Sequence, residues 1–157
     1  MTPWLVAAAS LLCALMGGIF YAFSSFIMSA LERIPAAEGI RAMQRINVDV
    51  YHWTFMAGFF GTPILCIVAA VMASRGSHGQ AGLYAIVACL VYVVGNFLVT
   101  AAGNVPLNNA LAAADANTVE AAGVWSHYLV SWTRWNHVRT AASMIAAGLF
   151  LVALRNM

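Results

Sequence analysis

The chain has 157 residues, of which 63% are hydrophobic and only 8% are charged, whereas soluble domains carry about 25% charged residues. This composition excludes an ordinary soluble domain and predicts an integral membrane protein whose first partner is the lipid bilayer. The formal net charge is +2. Because no basic patch is dense enough to follow a phosphate backbone, we expect no nucleic-acid partner. The length fits a single membrane domain over residues 1–157.

Long segments without Asp, Glu, Lys or Arg indicate the membrane spans. A membrane helix needs about 20 apolar residues, and we place four spans at about residues 4–29, 52–74, 82–103 and 137–154. Backbone groups in lipid must be hydrogen-bonded within their own segment, so each span is predicted to be a helix. The predicted fold class is therefore all-α, an integral membrane four-helix up-and-down bundle.

Two longer helical connectors lie on one side of this bundle, which we name the connector side. The first, between spans one and two, begins at Pro35 and reads as a short amphipathic helix. The second is predicted to turn at residues 104–106, form a short helix, and continue as a longer helix from about Thr118 into span four. In span one, small residues at spacings of three and four are predicted to pack against a neighbouring span: Ala14, Gly18, Ala22, Ser25 and Ser29.

Polar and aromatic side chains gather at the connector side, while the opposite half of each span is almost entirely aliphatic. The set contains Tyr21, Asn47, His52, Asn96, Asn104, Asn108, Trp132, Trp135, Asn136, His137 and Arg139. Polar groups at membrane depth cost free energy unless they find partners or line a cavity. They either tie the helices together through hydrogen bonds or surround a pocket, and their concentration at one side favours the pocket.

Residues 131–140, SWTRWNHVRT, place much of this chemistry at the start of span four. At 100° per residue, Trp132, Trp135, Asn136 and Arg139 lie on one helical face, and His137 lies on its flank. An aromatic wall that carries an amide and a guanidinium suits a flat ligand with an oxygen atom, since Arg both stacks on rings and binds oxyanions. The predicted small-molecule partner is therefore hydrophobic and oxygen-bearing.

The stretches PAAEGIRAMQRIN, NVPLNNAL and WTRWNHVRT occur in this order among four hydrophobic spans. In this respect the whole chain resembles the anthrone oxygenase-like family of small bacterial and fungal membrane proteins. The resemblance implies an oxygenase that acts on a hydrophobic aromatic or phenolic substrate, in a protein of the bacterial inner membrane. The family's matching polar positions are Asn47, Asn104, Asn108, Asn136 and Arg139, with Trp132, Trp135 and His137 beside them.

Oxidation of an anthrone requires a base that removes a proton and donors that stabilise the resulting enolate before it reacts with O₂. Histidine is suited to the first task near neutral pH, and Asn or Arg to the second. We therefore expect His137, or else His52, to be the base. Asn136, Arg139 and Asn104 would hold the oxyanion, and Trp132 and Trp135 would stack on the substrate. Four further residues complete the predicted binding set: Tyr21, Asn47, Asn96 and Asn108.

No cofactor is predicted, because the enolate can itself pass an electron to O₂. His52 and His137 lie at the same level and leave metal or haem ligation open, although no ligand-spaced HxxxH, ExxH or CxxC motif supports it. The three cysteines, Cys13, Cys66 and Cys89, lie in apolar runs, where packing is expected rather than a thiolate metal site.

Two other classes of protein remain as alternatives. One is a non-catalytic protein that binds or passes a small apolar ligand. The other is a structural subunit of a membrane complex or a homo-oligomer, which the small-residue stripe around Gly18 also fits. For orientation, counting positive residues places the long connectors in the cytoplasm.

Overall fold

The computed structural model describes residues 1–76 and 79–157, and these residues form five helices and no strand. In chain order the helices are α1 Thr2–Glu32, α2 Ala36–Asp49, α3 Trp53–Ser74, α4 Gly79–Ala112 and α5 Val119–Arg155. Short π-helical stretches lie within α1 and α4, at Phe23–Ile27, Val93–Leu98 and Thr100–Asn104. The predicted all-α fold is confirmed.

Four of these helices, α1, α3, α4 and α5, are long and apolar enough to cross a membrane. The chain is therefore an integral membrane protein with the four predicted spans. The helices α4 and α5 extend well beyond the predicted spans on the connector side. With 37 residues, α5 is about 55 Å long, whereas the hydrocarbon core is only about 30 Å thick. The predicted start near Thr118 is confirmed, because the Thr118 hydroxyl caps α5 by accepting from the Ala121 N–H at 3.3 Å.

The spans form a ring in which α1 packs on α3 and α5, and α4 packs on the same two helices. The core of this bundle is built from small residues that are fully buried, such as Ala69, Ala85, Ala88 and Ala146. Small side chains let helix backbones approach closely, which supplies packing energy in lipid where the hydrophobic effect between helices is weak. The sequence order of the four spans is thus also their order around the bundle, as expected for up-and-down topology.

The predicted packing face of α1 is wrong by about one residue. Ala14, Gly18 and Ser25 of the small-residue stripe are exposed, and a Cβ atom added at Gly18 would meet nothing within 4 Å. The face that packs contains Gly17 instead, where an added Cβ would lie 3.2 Å from the Cβ of Ser143 on α5. Adjacent residues differ by 100° around a helix, so a one-residue change selects a different neighbour.

The two connectors and the extended ends of α4 and α5 form a second packing unit outside the four-helix core, which we name the cap. The apolar side chains of Ile40 and Met43 on α2, Leu111 on α4 and Trp125 on α5 are buried together there. The Gln44 side-chain amide fastens α2 to α4 by donating to the carbonyl oxygens of Leu111 at 2.9 Å and Ala114 at 3.0 Å. Charged residues of α2 face outward, as its predicted amphipathic pattern requires.

The predicted turn at residues 104–106 is absent, and α4 continues as a helix through Pro106 to Ala112. The residues just before Pro106 adopt a wide π-helical turn, in which the Val105 N–H donates to the Thr100 carbonyl oxygen. Proline lies within the first α-helical turn that follows. A helix tolerates proline at that position because the missing N–H is not needed there.

Candidate functional site

A cavity of about 720 Å³ lies between the four-helix core and the cap, on the connector side. This volume falls in the range of about 300 to 1,000 Å³ found for small-molecule sites. The lining includes residues of all five helices. The cavity therefore exists only when the cap is packed on the membrane-spanning bundle.

The cavity wall is mostly aromatic. Its rings come from four helices and are those of Phe20, Phe23, Phe55, Phe59, Phe60, Phe97 and Trp132, with Tyr51 just before α3. Phe59 and Phe97 stack with their ring centroids 5.5 Å apart, which joins α3 to α4 in the cavity wall. Polar atoms are few and come from Asn47, Asp49, His52, Thr54, Thr100, Asn108 and Arg139. An apolar cavity with a few fixed polar groups is typical of a ligand site.

The cavity opens between α3 and α4. Tyr51, His52 and Phe60 on one side, and Ala101 and Val105 on the other, both line it and are exposed. Phe60 lies seven residues into α3 from Trp53, which is about 10 Å along the helix axis. The opening thus extends about 10 Å along α3 from the start of this helix.

Among the described residues that line the cavity, Arg139 alone is both charged and buried, with only 6% of its surface exposed. Its guanidinium lies against two rings, with Cζ 4.4 Å from the centroid of Phe20 and 5.1 Å from that of Trp132. One terminal nitrogen donates to Asn136 Oδ1 at 2.6 Å and the other donates to Thr100 Oγ1 at 3.3 Å.

No carboxylate pairs with Arg139 among residues 1–76 and 79–157, and its Nε–H has no partner there. A buried, unpaired cation costs several kcal/mol in a low-dielectric site. An anion or a strong hydrogen-bond acceptor in the cavity would pair this charge.

Asn136 lies behind Arg139 and does not line the cavity. Its amide nitrogen donates to the Phe20 carbonyl oxygen and to Ser24 Oγ, both at 2.7 Å, while its oxygen accepts from Arg139. These bonds hold α5 against α1 and fix the direction of the guanidinium. Asn136 is thus a positioning residue for Arg139.

Asn96 and Asn104 tie α4 to α5 rather than lining the cavity. Asn96 Nδ2 donates to Ser143 Oγ at 2.7 Å, and Asn104 Nδ2 donates to the Trp132 carbonyl oxygen at 3.2 Å. Both side chains are buried. For these two residues the structure agrees with the hydrogen-bonding alternative that the sequence left open.

Asn47 and Asn108 line the cavity from the cap, and both contact the hydroxyl of Tyr128. Trp132 lies below them, with its ring stacked 6.0 Å from that of Tyr128. The Trp132 ring nitrogen is buried and has no hydrogen-bond partner in the described part of the chain. The cavity therefore has polar atoms at two ends, with an aromatic wall between them.

Besides Asn96, Asn104 and Asn136, three more of the predicted site residues do not line the cavity. His137 is exposed, Tyr21 is 58% exposed, and Trp135 is 44% exposed with its ring packed against Gly103. His52 lines the cavity at its mouth, where its Nδ1 lies 2.9 Å from Thr54 Oγ1. Of the two histidines considered as base or metal ligand, only His52 reaches the cavity.

The sequence did not reveal the phenylalanine residues of the wall, such as Phe20, Phe55 and Phe97. Within an apolar span, a cavity-lining Phe and a lipid-facing Phe look alike. The stretch FMAGFF at residues 55–60 was the available signal, since it concentrates rings at the connector end of α3. The phenylalanine rings that line the cavity can be distinguished from lipid-facing rings only once the packing of the helices is known.

The three cysteines are free and buried, with Cys13 Sγ and Cys66 Sγ 3.5 Å apart in the helix core. In the described ranges, no group of three or more His, Cys, Asp and Glu side chains could hold a metal ion. All three cysteines lie among the buried apolar side chains of the four-helix core.

Comparison with known proteins relates this chain to one protein family. The sequence model of the anthrone oxygenase family matches residues 50–149, close to two thirds of the chain, and these residues include His52, Trp132 and Arg139. No curated protein and no solved structure gives a significant match. The matched region contains two of the three quoted stretches, NVPLNNAL and WTRWNHVRT, and the chain belongs to the anthrone oxygenase family.

Proposed function

We propose that this membrane protein is an oxygenase that oxidises a flat, hydrophobic substrate of the anthrone or a related phenolic class. The observation that carries the proposal is the buried Arg139 guanidinium, which lines an aromatic cavity and has no carboxylate partner in the described residues. A neutral apolar solute would leave this charge unpaired. An enolate or phenolate would pair it in a site from which water is largely excluded.

The shape and composition of the cavity support an aromatic substrate. Phe20 and Trp132 flank the guanidinium, and further rings from α3 and α4 complete the wall. Aromatic side chains bind flat rings by stacked or edge-to-face contacts. A substrate of this kind partitions into membranes, which is consistent with a cavity that opens between two membrane-spanning helices.

The proposed reaction converts a methylene and O₂ into a ketone and water. A base removes a proton from the acidic C–H, which leaves an enolate. The enolate passes one electron to O₂, and the carbon radical and superoxide then combine to form a C–O bond. After protonation, the hydroperoxide loses water and leaves the carbonyl group. O₂ is the only oxidant required, so we propose no resident cofactor, which metal analysis and an absorption spectrum of the purified protein test.

Removal of the proton and stabilisation of the enolate each have a candidate residue at the cavity. His52 is the proposed base, because it is the histidine that lines the cavity. Arg139 is the proposed oxyanion donor, because its guanidinium is the buried charged group that lines the cavity. Thr100 and Asn136 fix the guanidinium, and Trp132 supplies the stacking surface. His137 is given no role in the reaction, since it is exposed away from the cavity.

The direct test is O₂ consumption by the protein in lipid nanodiscs with 1,8-dihydroxy-9-anthrone. We expect one O₂ consumed per substrate, at a rate above that in empty nanodiscs. The Arg139→Gln variant should lose at least about tenfold in kcat, because a single oxyanion donor is commonly worth more than that. Arg134 is exposed on the same helix, and Arg134→Gln is the matched control. A wild-type rate for Arg139→Gln would remove the proposed role.

The same experiment separates the alternatives. A non-catalytic ligand-binding protein would bind the anthrone, seen as quenching of tryptophan fluorescence, without consuming O₂ above the empty-nanodisc rate. A structural subunit would do neither.

We further propose that the cap faces the cytoplasm of a bacterial inner membrane. Four exposed arginines support this orientation on the cap side, against two at the other end: Arg33, Arg41, Arg45 and Arg134, against Arg75 and Arg155. Positive residues near span ends are enriched on the cytoplasmic side. Arg139 is buried at the site and does not count toward this difference.

A further inference from the structure

The amides of Asn47 and Asn108 meet at the cap end of the cavity through one shared hydroxyl. The Tyr128 hydroxyl donates to Asn108 Oδ1 at 2.8 Å and accepts from Asn47 Nδ2 at 3.4 Å. Tyr128 is 1% exposed, while both asparagines are part-buried and line the cavity. Three separate elements, α2, α4 and α5, therefore converge on this point.

The shared hydroxyl fixes what the two amides can offer to a ligand. A tyrosine hydroxyl has one proton, so it donates to one amide and accepts from the other. One amide therefore uses its oxygen and the other uses its nitrogen, whichever way round they are assigned. The pair retains one free carbonyl oxygen and one free NH₂ group, here Asn47 Oδ1 and the protons of Asn108 Nδ2. Neither atom has another side-chain or backbone partner within residues 1–76 and 79–157.

We infer that Asn47 and Asn108 form a subsite for a hydroxyl group of the substrate. A hydroxyl is the small group that both donates and accepts, so it satisfies the free oxygen and the free NH₂ group together. A bare carbonyl or an ether satisfies only the NH₂ group and leaves the Asn47 oxygen without a donor. This inference rests on the proposed aromatic substrate and adds a specificity-determining pair to it.

The position of the pair relative to Arg139 indicates where on the substrate the hydroxyl lies. Tyr128 and Arg139 are eleven residues apart on α5, which is about 16 Å along the axis, and helical side chains lean toward the N-terminus. The Trp132 ring fills the interval, stacked on Tyr128 and lying under the Arg139 guanidinium. A fused ring system lying along Trp132 would present its oxyanion to Arg139 and its hydroxyl to the two amides at the opposite end.

Binding of three quinones that are not substrates for oxidation tests the subsite. The probes are anthraquinone, 2-hydroxyanthraquinone and 2-methoxyanthraquinone, and the readout is quenching of tryptophan fluorescence in nanodiscs. The 2-position is chosen because a hydroxyl there does not bond internally to the quinone carbonyl. We expect the hydroxy compound to bind about threefold to tenfold more tightly than the methoxy compound, as one or two added hydrogen bonds would give.

The Asn47→Leu and Asn108→Leu variants should each remove the preference for the hydroxyl while still binding anthraquinone. Asn109 is the exposed neighbour of Asn108 and does not line the cavity, so Asn109→Leu is the matched control and should retain the preference.

The inference is overturned if the wild-type protein binds the hydroxy and methoxy compounds equally, a result that needs no variant to fold. It is also overturned if the preference survives in either leucine variant. Failure of the oxygenase proposal looks different: the hydroxy compound would bind with the expected preference, yet no anthrone would be oxidised. Oxidation without any hydroxyl preference would leave the oxygenase proposal standing and remove the subsite.

Discussion

Replacing Gly95 with alanine tests the packing of α4 against α5 beside the proposed site. A Cβ atom added at Gly95 would lie 2.5 Å from the Cβ of Ala142, a distance at which neither atom has a flexible end to move away. The two helix backbones would have to separate locally. The hydrogen bond from Asn96 to Ser143, 2.7 Å long, bridges the same pair of helices one residue further on and would be stretched.

The magnitude follows from three terms. Overpacking a tight contact by one methyl group costs about 1 to 3 kcal/mol, and weakening the adjacent hydrogen bond adds about 0.5 to 1.5 kcal/mol. The higher helix propensity of alanine offsets about 1 kcal/mol of this cost. We therefore expect Gly95→Ala to destabilise the protein by about 0.5 to 3.5 kcal/mol. Gly18→Ala, where nothing lies within 4 Å of the added atom, should be neutral or slightly stabilising.

The assay is reversible unfolding of both variants in mixed micelles, followed by helical circular dichroism and by O₂ consumption with the anthrone. Gly95→Ala should also lose activity before it unfolds, because Thr100 on α4 and Arg139 on α5 must remain in contact across this interface. Equal stability of the two alanine variants, or a larger loss for Gly18→Ala, would show that the helix faces are assigned incorrectly.

Three other outcomes follow from the same geometry. Ala101 lies at the cavity opening, and Ala101→Trp should lower the rate at which a membrane-dissolved ligand binds. Ala102 is exposed but does not line the cavity, so Ala102→Trp should leave this rate unchanged. Equal binding rates for the two variants would argue against access between α3 and α4. Gln44→Leu removes two hydrogen bonds to α4 and its connector and should destabilise the cap by about 1 to 3 kcal/mol, seen as faster proteolysis there; an unchanged rate would contradict it. Ser126 on the cap and Asn156 at the opposite end of α5 are both exposed. Because the cap is proposed to be cytoplasmic, an impermeant maleimide added to spheroplasts should label Asn156→Cys but not Ser126→Cys. The opposite labelling pattern would reverse the orientation.

The sequence predicted the identity of several site residues better than their placement. Trp132 and Arg139 line the cavity, and Asn136 is buried beside Arg139 on the same face of α5, as 100° per residue predicts. On that same reasoning Trp135 was placed on the wall, yet it packs outside against Gly103. A helical face about 100° wide includes residues that line the cavity and residues that lie outside it. The packing of the neighbouring helices determines to which of these two groups each residue belongs.

By itself, the sequence determined the membrane location, the number of spans, the two connectors on one side and the family. These depend on hydropathy and charge summed along a segment, and such sums do not change with the rotation of a helix about its axis. Tertiary structure alone decided that Gly17 rather than Gly18 packs, that Asn96 and Asn104 tie helices, and that His52 rather than His137 reaches the cavity. Each of these outcomes depends on the rotation of a helix about its own axis, because adjacent residues point in directions that differ by 100°. Contacts between packed side chains determine that rotation.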